Sequence, residues 1–292
     1  MNVEKFLKPF RVTSGKGFRL KECPTDAAEA SGIDKKRATE LLQEHITQIS
    51  ELQGKLYAQE QWAFLLILQA MDAAGKDGAI KHVMTGVNPQ GVEVVSFKTP
   101  TALEQRHDFL WRTTLRLPER GQIGIFNRSY YEEVLAVRVE NGFLDAEKLP
   151  KELRSPEIWY ERMKDISNYE AYLGRNGTLV RKIFLHISPE EQHHRFLARL
   201  DDPLKNWKFS PSDLKARQSW DDYMAAYEEA IAATASEDAP WYVVPADKKW
   251  FARLVVGAIA IEGLSSLDLE FPKITGEQRK RLEDARKLLE AE

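Results

Sequence analysis

Residues 62–78 constrain this chain more than any other stretch: Trp-Ala-Phe-Leu-Leu-Ile-Leu-Gln-Ala-Met-Asp-Ala-Ala-Gly-Lys-Asp-Gly. An apolar run with the character of a strand buried on both faces ends in a small-residue turn that closes on Gly75 and Lys76. In such a layout backbone N–H groups and one lysine surround a phosphate chain, at the start of a helix whose dipole favours anions. The letters depart from the usual pattern. Ala70 replaces the first glycine, Asp77 replaces the Ser/Thr after the lysine, and an added carboxylate, Asp72, lies inside the loop. A Gly-Lys turn alone is common. The buried-type strand before it and the helix after it turn it into a prediction of phosphate binding by Ala73, Ala74, Gly75, Lys76, Asp77 and Gly78. Asp72 then reads as a carboxylate that holds Mg²⁺ against the phosphates. The competing reading of Asp72 is a turn or capping residue.

The chain around this loop alternates short β-like runs (64–69, 92–97, 123–127, 179–187 and 241–245) with helical patterns near 77–85, 102–116, 129–139, 156–174, 189–200, 211–234 and 248–265. That alternation predicts an α/β fold, with a mainly parallel five-stranded sheet covered by helices on both faces. Asp34 is placed to cap a helix running to about residue 60, and 275–291 reads as a final exposed helix. We divide the chain into an N-terminal extension and helix (1–60), a phosphotransferase domain (61–270, with a lid at about 195–215) and a C-terminal helix (271–292).

At 292 residues, 43% hydrophobic, the chain is large enough for a real core. Its net charge of −3 argues against general nucleic-acid binding, so a bound polyanion needs positive charge focused in a cleft. A single cysteine, Cys23, excludes an internal disulfide framework and a cysteine metal cluster. The longest apolar stretch is far short of the ~20 residues of a membrane span, and the N-terminus lacks a signal-peptide core. The expectation is a cytoplasmic protein with no membrane partner.

Three further clusters carry chemistry. Residues 122–133 are a strand ending in Asn127-Arg128-Ser129-Tyr130-Tyr131-Glu132-Glu133, at the sheet edge where open α/β sheets bind ligands. Asn127 brings no charge where a second metal carboxylate often stands, which returns that role to Asp72. Arg128 is suited to fork onto a phosphate, against the alternative of an ion pair with Glu132 or Glu133. In 195–210, Arg195 and Arg199 share a helix face, and a loop with Lys205, Trp207 and Lys208 follows. This reads as a lid closing cations over a charged ligand, against a solvated helix end. Residues 98–112 offer cations, a carboxylate and aromatics, among them Asp108, Trp111 and Arg112. His107 beside Asp108 makes no catalytic pair on a helix, because adjacent residues diverge by about 100°.

Read in order, Gln-Ala-Met-Asp-Ala-Ala-Gly-Lys-Asp-Gly, Gly-Val-Asn-Pro-Gln-Gly-Val, Phe-Lys-Thr-Pro-Thr, His-Asp-Phe-Leu-Trp-Arg, Phe-Asn-Arg-Ser-Tyr-Tyr-Glu-Glu-Val-Leu, Arg-Leu-Asp-Asp-Pro-Leu-Lys-Asn-Trp-Lys-Phe and Ala-Pro-Trp-Tyr-Val-Val-Pro-Ala resemble the polyphosphate kinase 2 family over roughly residues 10–270. The resemblance is strongest to members acting on both nucleoside mono- and diphosphates, which Asn127 fits. It implies a three-layer α/β/α P-loop kinase fold with a helical lid, Mg²⁺, and reversible transfer of a terminal phosphoryl group from inorganic polyphosphate to AMP or ADP. Asp72, Lys76, Arg128, Arg195 and Arg199 match family phosphate- and metal-handling positions.

On this reading Lys76 and Arg128 bridge the transferring phosphoryl group and Asp72, with Asp77 in support, holds Mg²⁺. Lys81, Lys205 and Lys208 guide the chain. Asn127, Arg128, Tyr131, Glu133, Asp108, Trp111 and Arg112 serve the nucleotide. The expected partners are polyphosphate, AMP, ADP and ATP, and further copies of the chain in a homodimer or homotetramer. The alternatives are an ATP-dependent nucleoside monophosphate kinase and a non-catalytic polyphosphate-binding protein.

Overall fold

The computed structural model describes residues 1–140 and 142–292. Six strands form one sheet: β1 (Arg11–Val12), β2 (Ala63–Ala70), β3 (Val92–Ser96), β4 (Ile123–Asn127), β5 (Thr178–His186) and β6 (Trp241–Pro245), in the order β1-β6-β5-β2-β4-β3. The five strands expected from the sequence are present and parallel. The sixth corrects the expected count. Arg11 and Val12 pair antiparallel with Tyr242 and Trp241 at the open edge of β6. Two residues are too few to display a strand period, so the sequence does not mark them.

All eight residues of β2 are buried, because helices cover both faces of the sheet. One cover is the helix Lys249–Ser265, which packs on β2, β5 and β6 and on the long helix Lys35–Gln59. It approaches closely through Gly263, where a Cβ would stand 2.7 Å from the Phe64 ring. Asp34 caps the long helix as expected, accepting from the Arg37 amide at 2.7 Å. The first residues join the same core through Leu7, Phe10 and Leu20. The helix Gly276–Glu290 buries none of its residues. Among the described residues no helix is long and apolar enough to cross a membrane.

Three expected helices are broken. Region 102–116 holds only the 3-10 turn Glu104–Arg106 and the single turn Trp111–Thr114. His107 between them is extended (φ −111°, ψ 171°), and the Asp108 carboxylate accepts from the Leu110 amide just before the second turn. Region 129–139 divides at Leu135 into Tyr130–Val134 and Ala136–Val139, and region 211–234 divides at Ser219 into Pro211–Gln218 and Trp220–Thr234.

Candidate active site

After β2 the chain visits β3 and β4 on one side and β5 and β6 on the other. The carboxyl end of β2 is therefore the topological switch point, where open parallel sheets form their ligand crevice. The loop from Met71 to Gly75 lies there and feeds the helix Lys76–Val83. Gly75 has φ +110°, which glycine alone adopts cheaply, and Ala73 is left-handed at φ +62°. The first amides of the helix have no intrahelical acceptor and face the loop. The Lys76 ammonium donates to Ala70 O at 2.8 Å and contacts Met71 O at 3.4 Å. Burial, and secondarily the Arg128 charge, lower the Lys76 pKa to about 8.

Arg128 begins the segment after β4. Its backbone is left-handed (φ +65°), and its amide donates to Leu68 O at 3.0 Å. The guanidinium donates to Asp72 at 2.9 Å and lies 3.7 Å from Glu132, which also accepts from Gln69 at 3.1 Å. Glu132 first, then Asp72, hold the guanidinium firmly protonated. Its side chain is 40% exposed, so it reaches a cleft of about 540 Å³ walled by Asp72, Glu132, Glu140, Asp213, Tyr223 and Tyr227. Burial and the nearby Asp72 raise the Asp213 pKa. Among the described residues no group of three or more His, Cys, Asp or Glu side chains could hold a metal. A lone, partly buried Asp72 still fits Mg²⁺, which keeps several waters and takes one or two carboxylates plus substrate phosphates. Asp77 is exposed and accepts from Asn127 Nδ2 at 2.8 Å.

The structure corrects the reading of Arg195. It lies on the helix Pro189–Leu200, but its guanidinium faces inward, donating to Ala73 O, Ala74 O, Ala246 O and Asp247 O at 2.6–3.0 Å while Nε donates to Glu191. It therefore clamps the loop from beneath and is not a mobile lid cation. Gln192 assists by donating to Asp72 O at 3.0 Å. Removing the clamp strands buried carbonyls, so Arg195→Met should destabilise the protein by about 3 kcal/mol, read as a lowered denaturant midpoint. Arg199 is different. It pairs with Asp213 at 3.2 Å and approaches Lys208 O at 3.4 Å, which ties the connection between the two helices to the cleft. On that connection Lys205 pairs with Asp202, and Lys208 lies over the Trp207 ring at 5.2 Å. Leu204 and Trp207 stand in solvent at 84% and 74% exposure.

The residues grouped for the nucleotide fall in several places. Tyr131 is a correction: it is fully buried, its hydroxyl donates to Glu170, and it faces no cleft. Trp111 is stacked on His107 with ring centres 3.9 Å apart, outside both clefts. Asp108, Arg112 and Glu133 line a second cleft of about 470 Å³ with Glu104, Phe109 and Phe143. Arg112 donates to Lys98 O at 2.7 Å and to Glu133 at 3.2 Å. Burial pushes Glu133 up to about 7 against the pull of Arg112 and Arg162. Thus Glu132 and Glu133, neighbours in the chain, face different clefts. Asn127 also meets Ser96 Oγ at 3.4 Å at the end of β3.

A family model described as Polyphosphate kinase 2 (PPK2) matches residues 32–271. The chain belongs to the polyphosphate kinase 2 family. It is 52% identical over 283 residues to an ADP-polyphosphate phosphotransferase of Rhodopseudomonas palustris, covering 97% of this chain and 98% of that one. It is 43% identical over 267 residues to an AMP/ADP-polyphosphate phosphotransferase of Meiothermus ruber, covering 91% and 96%. The crystal structure of polyphosphate kinase 2 from Arthrobacter aurescens TC1 superposes with a TM-score of 0.85 at 38% identity, covering 97% of each chain.

This polyphosphate kinase 2 chain also places at the loop cations that sequence reading missed. Arg253 reaches the first turn of the loop helix, where a Cβ on Gly78 would stand 3.7 Å from its guanidinium. Its Nε is buried without a hydrogen-bond partner, and among the described residues it forms no ion pair. Burial, and then the charge of Arg195, lower its pKa. Burial, and then the charges of Arg195, Arg253 and Lys205, lower the pKa of Lys249, one turn earlier, against the pull of Glu191. One signal was available. Lys248, Lys249 and Arg253 open a helix with no acid in its first turn, the end at which the dipole disfavours cations.

Proposed function

We propose that the protein transfers the terminal phosphoryl group of inorganic polyphosphate to AMP or ADP, reversibly, between Lys76 and Arg128. The carrying observation is the division of charge around the loop helix. Arg128 with Asp72 and Glu132 lies on one side, and Lys249 and Arg253, which form no ion pair among the described residues, lie on the other. The first side suits a nucleotide phosphate and its metal, the second a long polyanion. An acceptor phosphate is already ionised at neutral pH, so the chemistry requires positioning and charge neutralisation and no general base.

In this mechanism Lys76 leaves the carbonyls of Ala70 and Met71 and, with the helix amides, takes the oxygens of the transferring group. Arg128 forks onto the acceptor side. Asp72 would hold Mg²⁺, which when bound would supply charge neutralisation to the substrate phosphates. Lys249, Arg253, Lys81, Lys205 and Lys208 line the donor's path. Lys205 and Lys208 ride on a lid that Arg199 anchors through Asp213. The nucleoside end runs past Asn127 along the ends of β4 and β3 into the Asp108–Arg112–Glu133 cleft.

The direct test supplies AMP, polyphosphate and Mg²⁺ with no ATP. ADP and then ATP should accumulate. Product that forms only when ATP is the donor would make the protein a nucleoside monophosphate kinase instead.

Two results follow from the cations. Each phosphate contact on a flexible single chain adds about 0.7 to the slope of log affinity against log salt. Replacing Lys249 and Arg253 together by alanine should flatten the salt dependence of kcat/KM for polyphosphate by about 1.4, raising its KM and sparing kcat. The second concerns pH. Lys76 is charged below its pKa of about 8 and neutral above it. In the free enzyme, kcat/KM for polyphosphate should therefore fall by up to tenfold per pH unit above about pH 8. Lys76→Arg, which stays protonated, should remove that limb from the profile.

A further inference from the structure

Beneath the Arg128 segment lies a buried polar network with no part in the mechanism above. Lys182 on β5 is fully buried. Its ammonium pairs with Glu170 on the helix Ile158–Arg175 and donates to Thr234 O at 2.7 Å. The other Glu170 oxygen accepts from Tyr130 OH at 3.0 Å and from Tyr131 OH at 2.8 Å. The Tyr131 hydroxyl also lies 2.9 Å from Thr234 Oγ1, which accepts from Trp241 Nε1 at 2.8 Å. Burial holds both phenols well above their ordinary range, so both remain protonated donors.

Position in the chain gives this network a purpose beyond gluing the core. Its two phenols are consecutive, and they begin the turn Tyr130–Val134 directly after Arg128 and Ser129. Arg128 stands just before that turn, and Glu132, its partner, lies in the middle of it. Arg128 itself sits in left-handed backbone, a conformation that persists only where surrounding structure imposes it. Two anchors are local: the Arg128 amide on Leu68 O, and Ser129 Oγ accepting from the Tyr131 amide. Gln69 and Arg112 hold the turn's acids, Glu132 and Glu133, and the two phenol hydroxyls hold it from beneath, both ending on Glu170.

We propose that Glu170 is a positioning residue for Arg128: through Tyr130 and Tyr131 it fixes the turn that presents the guanidinium to the acceptor. Lys182 keeps the Glu170 carboxylate in place to receive both hydroxyls. The proposal rests on the transfer reaction assigned to Arg128 above.

The test is a double-mutant cycle on the full chain. Tyr130→Phe/Tyr131→Phe keeps the buried rings and removes both ties to Glu170, together with the Tyr131 contact to Thr234. Its kcat should fall about tenfold, as displacement of a transition-state group does, with KM for both substrates within twofold. In an Arg128→Ala background the same pair should produce no further fall, because the group being positioned is gone. An unchanged kcat in the folded Phe pair overturns the proposal, as does an equal fold-loss in both backgrounds. If the pair does not fold, Tyr130→Phe alone, which leaves Glu170 two donors, enters the same cycle under the same criteria. Hydrogen exchange of the Ser129–Val134 amides gives a second readout that does not depend on turnover. Faster exchange confined to that turn supports the proposal and unchanged exchange contradicts it. Absence of transfer by the wild-type chain would instead defeat the proposed reaction.

Discussion

Lys76→Ala should lower kcat by about a thousandfold and leave the protein as stable as before, or more so. The loss is large because the transferring group carries its charge on peripheral oxygens, and a preorganised cation in a partly dehydrated loop neutralises it far better than water does. The stability forecast follows from the direction of the pKa shift. An unfolded lysine titrates near its ordinary value of 10.5, and the folded one near 8. The fold therefore disfavours the charged ammonium. That penalty is present in full below about pH 8 and disappears as pH rises towards the unfolded value. At pH 7 the alanine variant loses a destabilising charge, and the residues whose carbonyls it leaves, Ala70 and Met71, line the cleft. Turnover at saturating substrates, paired with a thermal midpoint at pH 7, separates loss of chemistry from loss of fold. Such a residue, held against stability, is what a functional site leads one to expect.

Asp72→Asn should reduce kcat by about two to three orders of magnitude and move the Mg²⁺ dependence to higher concentration by about tenfold or more. Asp72 is a partly buried carboxylate in the loop, paired with Arg128. Its loss removes the protein's charged contact to the ion and one of the two acids on the guanidinium. Arg128 would keep Glu132, so the cleft should hold its shape. Asp77→Asn is the control. That carboxylate is exposed and already engaged by Asn127, so its Mg²⁺ curve should move little. Rates measured across Mg²⁺ concentrations for the three proteins decide the matter. Equal shifts for both variants would return Asp77 to the ion.

Much of this was legible in the chain. A fully apolar strand, a small-residue turn and Gly75-Lys76 leave few alternatives, and β2, the loop and the helix after it lie as their pattern dictates. The misses have physical causes. β1 is two residues long and exists because β6 offers an edge. The breaks at His107, Leu135 and Ser219 reflect tertiary packing that overrules helical periodicity. Arg195 was assigned to its helix correctly, but only tertiary structure shows four carbonyls waiting on the inner face. Tyr131 illustrates the converse: an aromatic beside a site residue lies in the core because its hydroxyl finds Glu170, about forty residues away. Arg253 is separated from the loop by most of the chain, and its single sequence trace is a cation at the wrong end of a helix.

The central claim is that phosphoryl groups pass directly from polyphosphate to a nucleotide at the Asp72–Lys76–Arg128 site. Radiolabelled polyphosphate incubated with AMP and Mg²⁺, without ATP, tests it most directly. Label should appear in the β-phosphate of ADP and then in the γ-phosphate of ATP for the wild-type protein, and next to none for Lys76→Ala. Nucleotide products that stay unlabelled, or labelling that persists undiminished in Lys76→Ala, would contradict it.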